Sequence, residues 1–240
     1  RWPAFRASYA NREARVTTVV AAIFLAINWG VFVWAVTNDH VVEASLGYFI
    51  NPLVSVVLGV VVLGERLRRA QWIAVAIAAV GVTGMAIRLG SVPWISLTLA
   101  CSFGLYGLLK KRDAVPPATF SLFGEIVVLT IPALALLGLG TGGGDERFGS
   151  DAAVSLFLIG TGAITVIPLL MFGAAAKRIR LTTLGLLQYI APTLQFVVGV
   201  TVFGEDLNTA TMVGFAFVWT ALVVYTTDSI RSTRSLSPAT

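Results

Sequence analysis

Charge is scarce in this chain. Of 240 residues only 12% are Asp, Glu, Lys or Arg, while 57% are hydrophobic; soluble domains run at about 25% charged and roughly 45–50% apolar. Twenty-nine charges cannot clothe a water-soluble globule of this length, since such a surface needs a polar skin. The mean hydropathy of +0.86 agrees. A single cysteine, Cys101, excludes a disulfide framework, a Cys-rich zinc site and an iron–sulfur cluster. A single histidine, His40, removes His-cluster metal sites and triads with a His base. There is no G-x-x-x-x-G-K-[ST] phosphate loop, which argues against direct ATP drive by this chain. What remains is an integral membrane protein with no cofactor or metal expected.

A helical span needs about 20 mostly apolar residues to cross roughly 30 Å of hydrocarbon. Eight stretches qualify, at about 16–38, 41–63, 71–89, 91–109, 117–139, 152–174, 181–203 and 209–227. Their apolar runs are continuous, which predicts helices rather than alternating barrel strands. Short links such as Asn38-Asp39-His40 make neighbours antiparallel; Gly140–Ser150 reads as a flexible loop.

The basic residues follow the topology. Fifteen of the 17 fall on one side, before the first span, after the second, fourth and sixth, and in the tail; only Arg88 and Arg147 fall on the other. The positive-inside rule then places both ends of this chain in the cytoplasm. The pI near 9.8 reflects topology, and no nucleic-acid partner is expected.

LGYFINPLVSVVLGVVVLGERL (46–67) aligns with LLQYIAPTLQFVVGVTVFGEDL (186–207) at an offset of 140, with ten of 22 positions identical. Apolar matches come easily in membrane helices, but Pro52/Pro192, Gly59/Gly199, Gly64/Gly204 and Glu65/Glu205 do not. The matched spans are the second and the seventh, so the copies cross in opposite directions. Inverted repeats are a mark of secondary transporters, whose site lies near the midplane between them. Carrying the offset back predicts two helices before Arg1. The expected architecture is an all-α polytopic protein with eight transmembrane helices here, part of a ten-helix, five-plus-five inverted repeat. Residues 1–15 would be a cytoplasmic loop and 16–89 the last three helices of the first repeat. Residues 91–227 would form the complete second repeat, and 228–240 a cytoplasmic tail.

EASLGYFINPL (43–53), followed by LGERL (63–67) and QW (71–72) and preceded by NWGVFVWAV (28–36), resembles the RarD-type permeases of the EamA family, within the drug/metabolite transporter superfamily. The first motif is fairly specific and the others generic to the superfamily. The resemblance implies ten helices in two inverted five-helix repeats and a site in the bacterial plasma membrane. It also brings an association by name with chloramphenicol sensitivity, and relatives that export amino acids or other metabolites. The first two helices of that pattern have no counterpart in this sequence. In the family they help line the pathway.

Glu125 is the candidate charged group. It stands eight residues past Pro117, roughly 12 Å along its helix at about 1.5 Å per residue. A carboxylate there must be protonated, paired or facing water, and such acids are often functional. It is read as a substrate-amine contact or a coupling site, against a purely structural hydrogen-bonded carboxyl. Asn28, Asn51, Gln188 and Gln195 are amides inside apolar spans, expected either to line the path or to bond helices together. Pro52 and Pro192 are expected helix breaks beside them, because proline removes a backbone bond and frees carbonyls. Trp29, Tyr48, Tyr106 and Tyr189 lie deep enough to stack on a substrate, whereas Trp34, Trp72 and Trp94 fall near span ends as interfacial anchors. Gly81, Gly84, Gly104 and Gly107 are expected as close-packing points.

The reading that follows is a secondary transporter, not an enzyme, moving a small organic solute such as a drug, amino acid or metabolite by alternating access. Its partners would be the lipid bilayer, the solute, and H+ or another coupling ion as a candidate. A receptor or regulatory subunit is the alternative, though no sizeable soluble domain is present. A membrane-embedded enzyme is disfavoured, because the acids sit mostly at span ends and there is one histidine.

Overall fold

The computed structural model describes residues 2–88, 93–115, 117–138, 151–201 and 209–234, and all regular structure among them is helical. After a short α1 (Trp2–Ser8) come α2 (Arg12–Thr37), α3 (Val41–Val61), α4 (Arg69–Arg88), α5 (Trp94–Arg112), α6 (Ala118–Gly138) and α7 (Ala152–Arg178). The seventh expected span is two pieces, α8 (Leu181–Leu187) and α9 (Ile190–Thr201), and α10 (Thr209–Arg234) is last. Six of these, α2, α3, α4, α6, α7 and α10, are long and apolar enough to cross a membrane by length and composition. α5 carries Lys110, Lys111 and Arg112 in its last turn, and α8 and α9 are each too short alone.

Local chemistry fixes the helix limits. Asp39 adopts a left-handed φ of 61° in the turn between α2 and α3, a conformation Asp tolerates better than most side chains. Asp151 caps α7, its carboxylate accepting from Ala153 N at 2.8 Å and Val154 N at 3.2 Å. Pro192 lacks the N–H that would bond the Gln188 carbonyl four residues back; that carbonyl accepts from Ala191 N instead, at 3.2 Å. The interruption therefore falls at Gln188–Tyr189, and Pro192 sits in the first turn of α9, where a missing N–H costs little. The break expected at Pro52 is absent: α3 runs through it to Val61.

The helix starts repeat. α2 and α3 begin at 12 and 41; α7 and α8 begin at 152 and 181, each 140 residues on.

The chain divides into two compact units, Arg1–Ala26 with Leu109–Ile179, and Ile27–Leu108 with Arg180–Thr240. In the first, α6 packs on α7. In the second, α4 packs on α10 and α3 on α4, α8 and α9. The core of the second unit contains Leu46 with Leu186, Phe49 with Tyr189 and Ala78 with Val218, pairs that also stand 140 apart. Glycines permit close helix contact here: a Cβ on Gly81 would lie 2.7 Å from Phe217 Cβ, and one on Gly104 2.7 Å from Val54 Cγ1. Gly84 meets nothing within 4 Å, so it is not a packing point. Large apolar side chains such as Leu156, Phe157, Ile164, Ile167 and Met171 on α7 are exposed, the pattern of a lipid-facing helix.

Candidate functional site

In the second unit, the Gln188 amide stands where α8 ends. Asn51, nearly buried on α3, donates its Nδ2 to Gln188 Oε1. Among the described residues Gln188 Nε2 reaches only the Leu184 carbonyl at 3.5 Å, a weak contact. The Asn51 side-chain oxygen, Oδ1, is buried and accepts from no donor among the described residues. An orphaned acceptor in a helix bundle is uncommon and demands an explanation. Here it lies beside a broken helix, the setting in which transporters build solute sites.

The other amide candidates behave differently. Asn28 donates Nδ2 to the Leu99 carbonyl at 2.9 Å and to Ser102 Oγ at 3.1 Å, tying α2 to α5 rather than joining Asn51. Gln195 lies on α9, but its side chain is outside the described residues. Glu205 is outside them too.

Among the aromatics, Trp29 and Tyr48 are exposed, and Tyr48 meets Phe32 edge-on with centroids 6.0 Å apart. Tyr189 is fully buried and donates its hydroxyl to the Phe49 carbonyl at 3.1 Å, so its ring belongs to the core in this conformation. Tyr106 is fully buried as well. Trp34 and Trp94 meet near helix ends with centroids 5.6 Å apart and rings tilted by 47°, and both are exposed, as is Trp72.

Glu125 belongs to the first unit and is held in a buried ionic cluster. Lys110 Nζ lies 2.8 Å from Glu125 Oε1, with both side chains 1% exposed. Lys110 also donates to Ser121 Oγ, and Ser121 Oγ in turn donates to Glu125 Oε1 at 3.2 Å. Asp113 Oδ2 stands 3.8 Å from Lys110 Nζ and 3.2 Å from Lys177 Nζ. Two cations thus face two carboxylates, which compensates charges that would otherwise be costly at such burial. Gly173 makes room for this arrangement, since a Cβ there would come 3.1 Å from Lys110 Cε. Nearby, Tyr9 donates its hydroxyl to the Phe120 carbonyl at 3.0 Å. Burial raises the Tyr9 phenol above its ordinary 10.0; the Thr18 hydrogen bond opposes this, and the Asp113 and Glu125 charges add to it.

Sequence reasoning read Lys110 and Lys177 only as topology markers and did not reach Asp113, Ser121 or Ser102. Ser121 could have been found, because it precedes Glu125 by four residues and so shares its helix face. Among the described residues no three His, Cys, Asp or Glu side chains gather as a metal site.

Residues 3–87 match the family described as the EamA-like transporter family. A protein named RarD from Streptomyces exfoliatus is 49% identical over 98% of this chain and 74% of its own length. Another RarD, from Escherichia coli strain K12, is 45% identical over 91% of this chain and 74% of its own. The transporter YojE of Bacillus subtilis is 42% identical over 90% and 72%. A crystal structure with 20% identity aligns over 98% of this chain and 93% of its own with a TM-score of 0.59, a likeness of fold alone. With relatives this similar along nearly its whole length, the chain belongs to the EamA family as a RarD-type permease, a multi-pass membrane transporter.

Proposed function

We propose that this permease moves a small organic solute, a drug, amino acid or other metabolite, across the bacterial plasma membrane by alternating access between two inverted repeats. The solute would bind at the Asn51–Gln188 pair. One observation carries the reading: Asn51 Oδ1 is a buried acceptor without a donor among the described residues, set beside the interruption between α8 and α9. A solute bearing an N–H or O–H group would satisfy it. Trp29 and Tyr48, exposed in the same unit, and Asn28 are the remaining path-lining candidates.

The repeat reading is supported by helix starts that recur at an offset of 140 and by helices of one copy packed on their equivalents, α3 on α8 and α4 on α10. Residues 16–89 would then supply three helices of the first repeat and 91–227 the second. The basic helix ends would face the cytoplasm, with both chain ends on that side. Glu125 is the coupling candidate: a proton or a substrate cation would compete with Lys110 for its carboxylate.

The test is a comparison of the metabolites released by cells making the full-length protein with those released by empty cells, at matched growth. Asn51→Leu and Glu125→Gln are run beside the intact protein at equal membrane abundance. A compound released only with the intact protein supports the reading and identifies the solute. Release unchanged by Asn51→Leu defeats the site, and release unchanged by Glu125→Gln retires Glu125.

A further inference from the structure

The repeated Gly-x-x-x-x-Gly-Glu pattern, Gly59 to Glu65 in the first copy, has no part in the solute site just described. Its structural consequence is specific. α3 ends at Val61, and Gly64 turns the chain through a left-handed φ of 66°, where a side chain would be strained. The turn brings Glu65 back over the helix end, with Glu65 N donating to the Gly59 carbonyl at 2.9 Å. From there its carboxylate reaches the other copy. Oε1 accepts from Leu181 N at 2.7 Å and Oε2 from Thr182 N at 2.9 Å. The first N–H groups of a helix lack partners within it, and Arg180 offers α8 no side-chain cap. Glu65 supplies that cap across the repeat boundary with two charge-assisted bonds.

Gly59 is what allows the approach. A Cβ there would stand 2.8 Å from Thr182 Cγ2 and 2.9 Å from Glu65 Oε2. Gly185 serves the same face of α8, since a Cβ there would meet the Pro52 carbonyl at 2.9 Å. The glycines therefore let α3 and α8 approach closely. α8 is only seven residues long, about 10 Å, between the clasp at its start and the break at Gln188. Holding Leu181 and Thr182 thus sets where Gln188 stands against Asn51.

The opposite end of the repeated pair differs. Val41 and Val42 open α3 as Leu181 and Thr182 open α8, at the same repeat positions. Leu181 and Thr182 are 0% and 2% exposed, whereas Val41 and Val42 are 49% and 70% exposed. A carboxylate clasp thus covers the start of α8, whereas the equivalent residues at the start of α3 are exposed.

We infer that Glu65 is the gate-holding positioning residue of the transport cycle: its grip on Leu181 and Thr182 closes the basic, proposed cytoplasmic, end of the path, and its release opens that end. The inference rests on the alternating-access reading above. In that scheme the two ends must exchange, so breaking the clasp has to change both.

The experiment uses the full-length protein in sealed membrane vesicles of each orientation, with Cys101→Ser and a single reporter, Thr182→Cys or Val42→Cys. A membrane-impermeant maleimide is the probe. With Glu65 intact, Val42→Cys labels from its own face and Thr182→Cys stays protected. Glu65→Gln is expected to raise Thr182→Cys labelling about tenfold and to lower Val42→Cys labelling, the signature of a shifted two-state equilibrium. Glu65→Asp, which keeps the charge on a shorter arm, is expected to fall between the two. Labelling that rises at both reporters would mean a frayed helix, and a rise at Thr182→Cys alone would mean a simple cap; either overturns the inference, as does no change at all. Solute release from the same cells keeps the two readings apart. Release by the intact protein with unresponsive reporters retires Glu65 alone, whereas absent release retires the transporter reading itself.

Discussion

Tyr189 donates its phenolic hydroxyl to the backbone carbonyl of Phe49 at 3.1 Å, and the two residues stand 140 positions apart. Position i touches position i+140 directly only near an axis that exchanges the two copies, as equivalent residues meet across an isologous contact. The same offset separates the starts of two helix pairs and recurs within the core of the second unit. The hydrogen bond therefore fits a proposed pseudo-two-fold axis running close to α3 and α8.

The amide pair yields the first prediction. Gln188→Leu leaves Asn51 Nδ2 buried without its acceptor, at a cost of about 1–3 kcal/mol. The double variant Asn51→Leu/Gln188→Leu removes both polar groups and should recover most of the lost thermal stability in detergent. Solute release should stay at least about tenfold down in both variants, because the binding amides are gone. Recovery of release together with stability would make the pair structural.

The ionic cluster gives a second. Lys110→Met alone takes the ammonium away from the Glu125 carboxylate, which is 1% exposed, and should cost about 3–5 kcal/mol. Adding Glu125→Met should restore the melting temperature. Release should remain lost in the double variant if Glu125 couples transport; release that returns with the fold would assign the cluster to stability.

Gly59→Ala tests the close approach of α3 and α8. The added methyl would lie 2.8 Å from Thr182 Cγ2, and such overpacking costs about 1–3 kcal/mol. A lower melting temperature is expected. Gly84→Ala, where nothing lies within 4 Å, should leave it unchanged. Equal melting of the two variants would contradict the packing described.

Tyr9 predicts a pH dependence. Its folded pKa lies above the ordinary 10.0, so above that pH the unfolded chain has already released the proton that the folded protein retains. Stability from this group is therefore complete below pH 10 and falls as pH rises past it. Melting of the intact protein should decline more steeply between pH 10 and 11 than that of Tyr9→Phe; parallel curves would dispose of the effect.

The sequence made the helices, the repeat and the family readable, because a continuous apolar run of span length admits few alternatives and Gly-Glu pairs are rare in such runs. It could not place Lys110. Read alone, that lysine is one of three basic residues at a helix end; only the path of α6 and α7, with Asp113, Ser121 and Gly173, turns it inward. Pro192 signalled an interruption, but its position follows from which carbonyl loses a donor, namely that of Gln188. The identical residue Pro52 interrupts nothing, so a proline alone did not decide the matter. Glu65 was visible as a repeated residue, yet its partners are backbone N–H groups, which leave no mark in a sequence. Gln195, singled out as an amide inside an apolar span, and Glu205, singled out by the repeat, have side chains outside the described residues.

The proposed activity is movement of a solute through the Asn51–Gln188 site. The direct measurement is flux in liposomes containing only the purified full-length protein, using the compound whose release distinguishes expressing cells from empty ones. The account predicts flux well above protein-free liposomes, reduced at least about tenfold by Gln188→Leu at equal incorporation. Flux equal in the two proteins, or no greater than in protein-free liposomes, would contradict it.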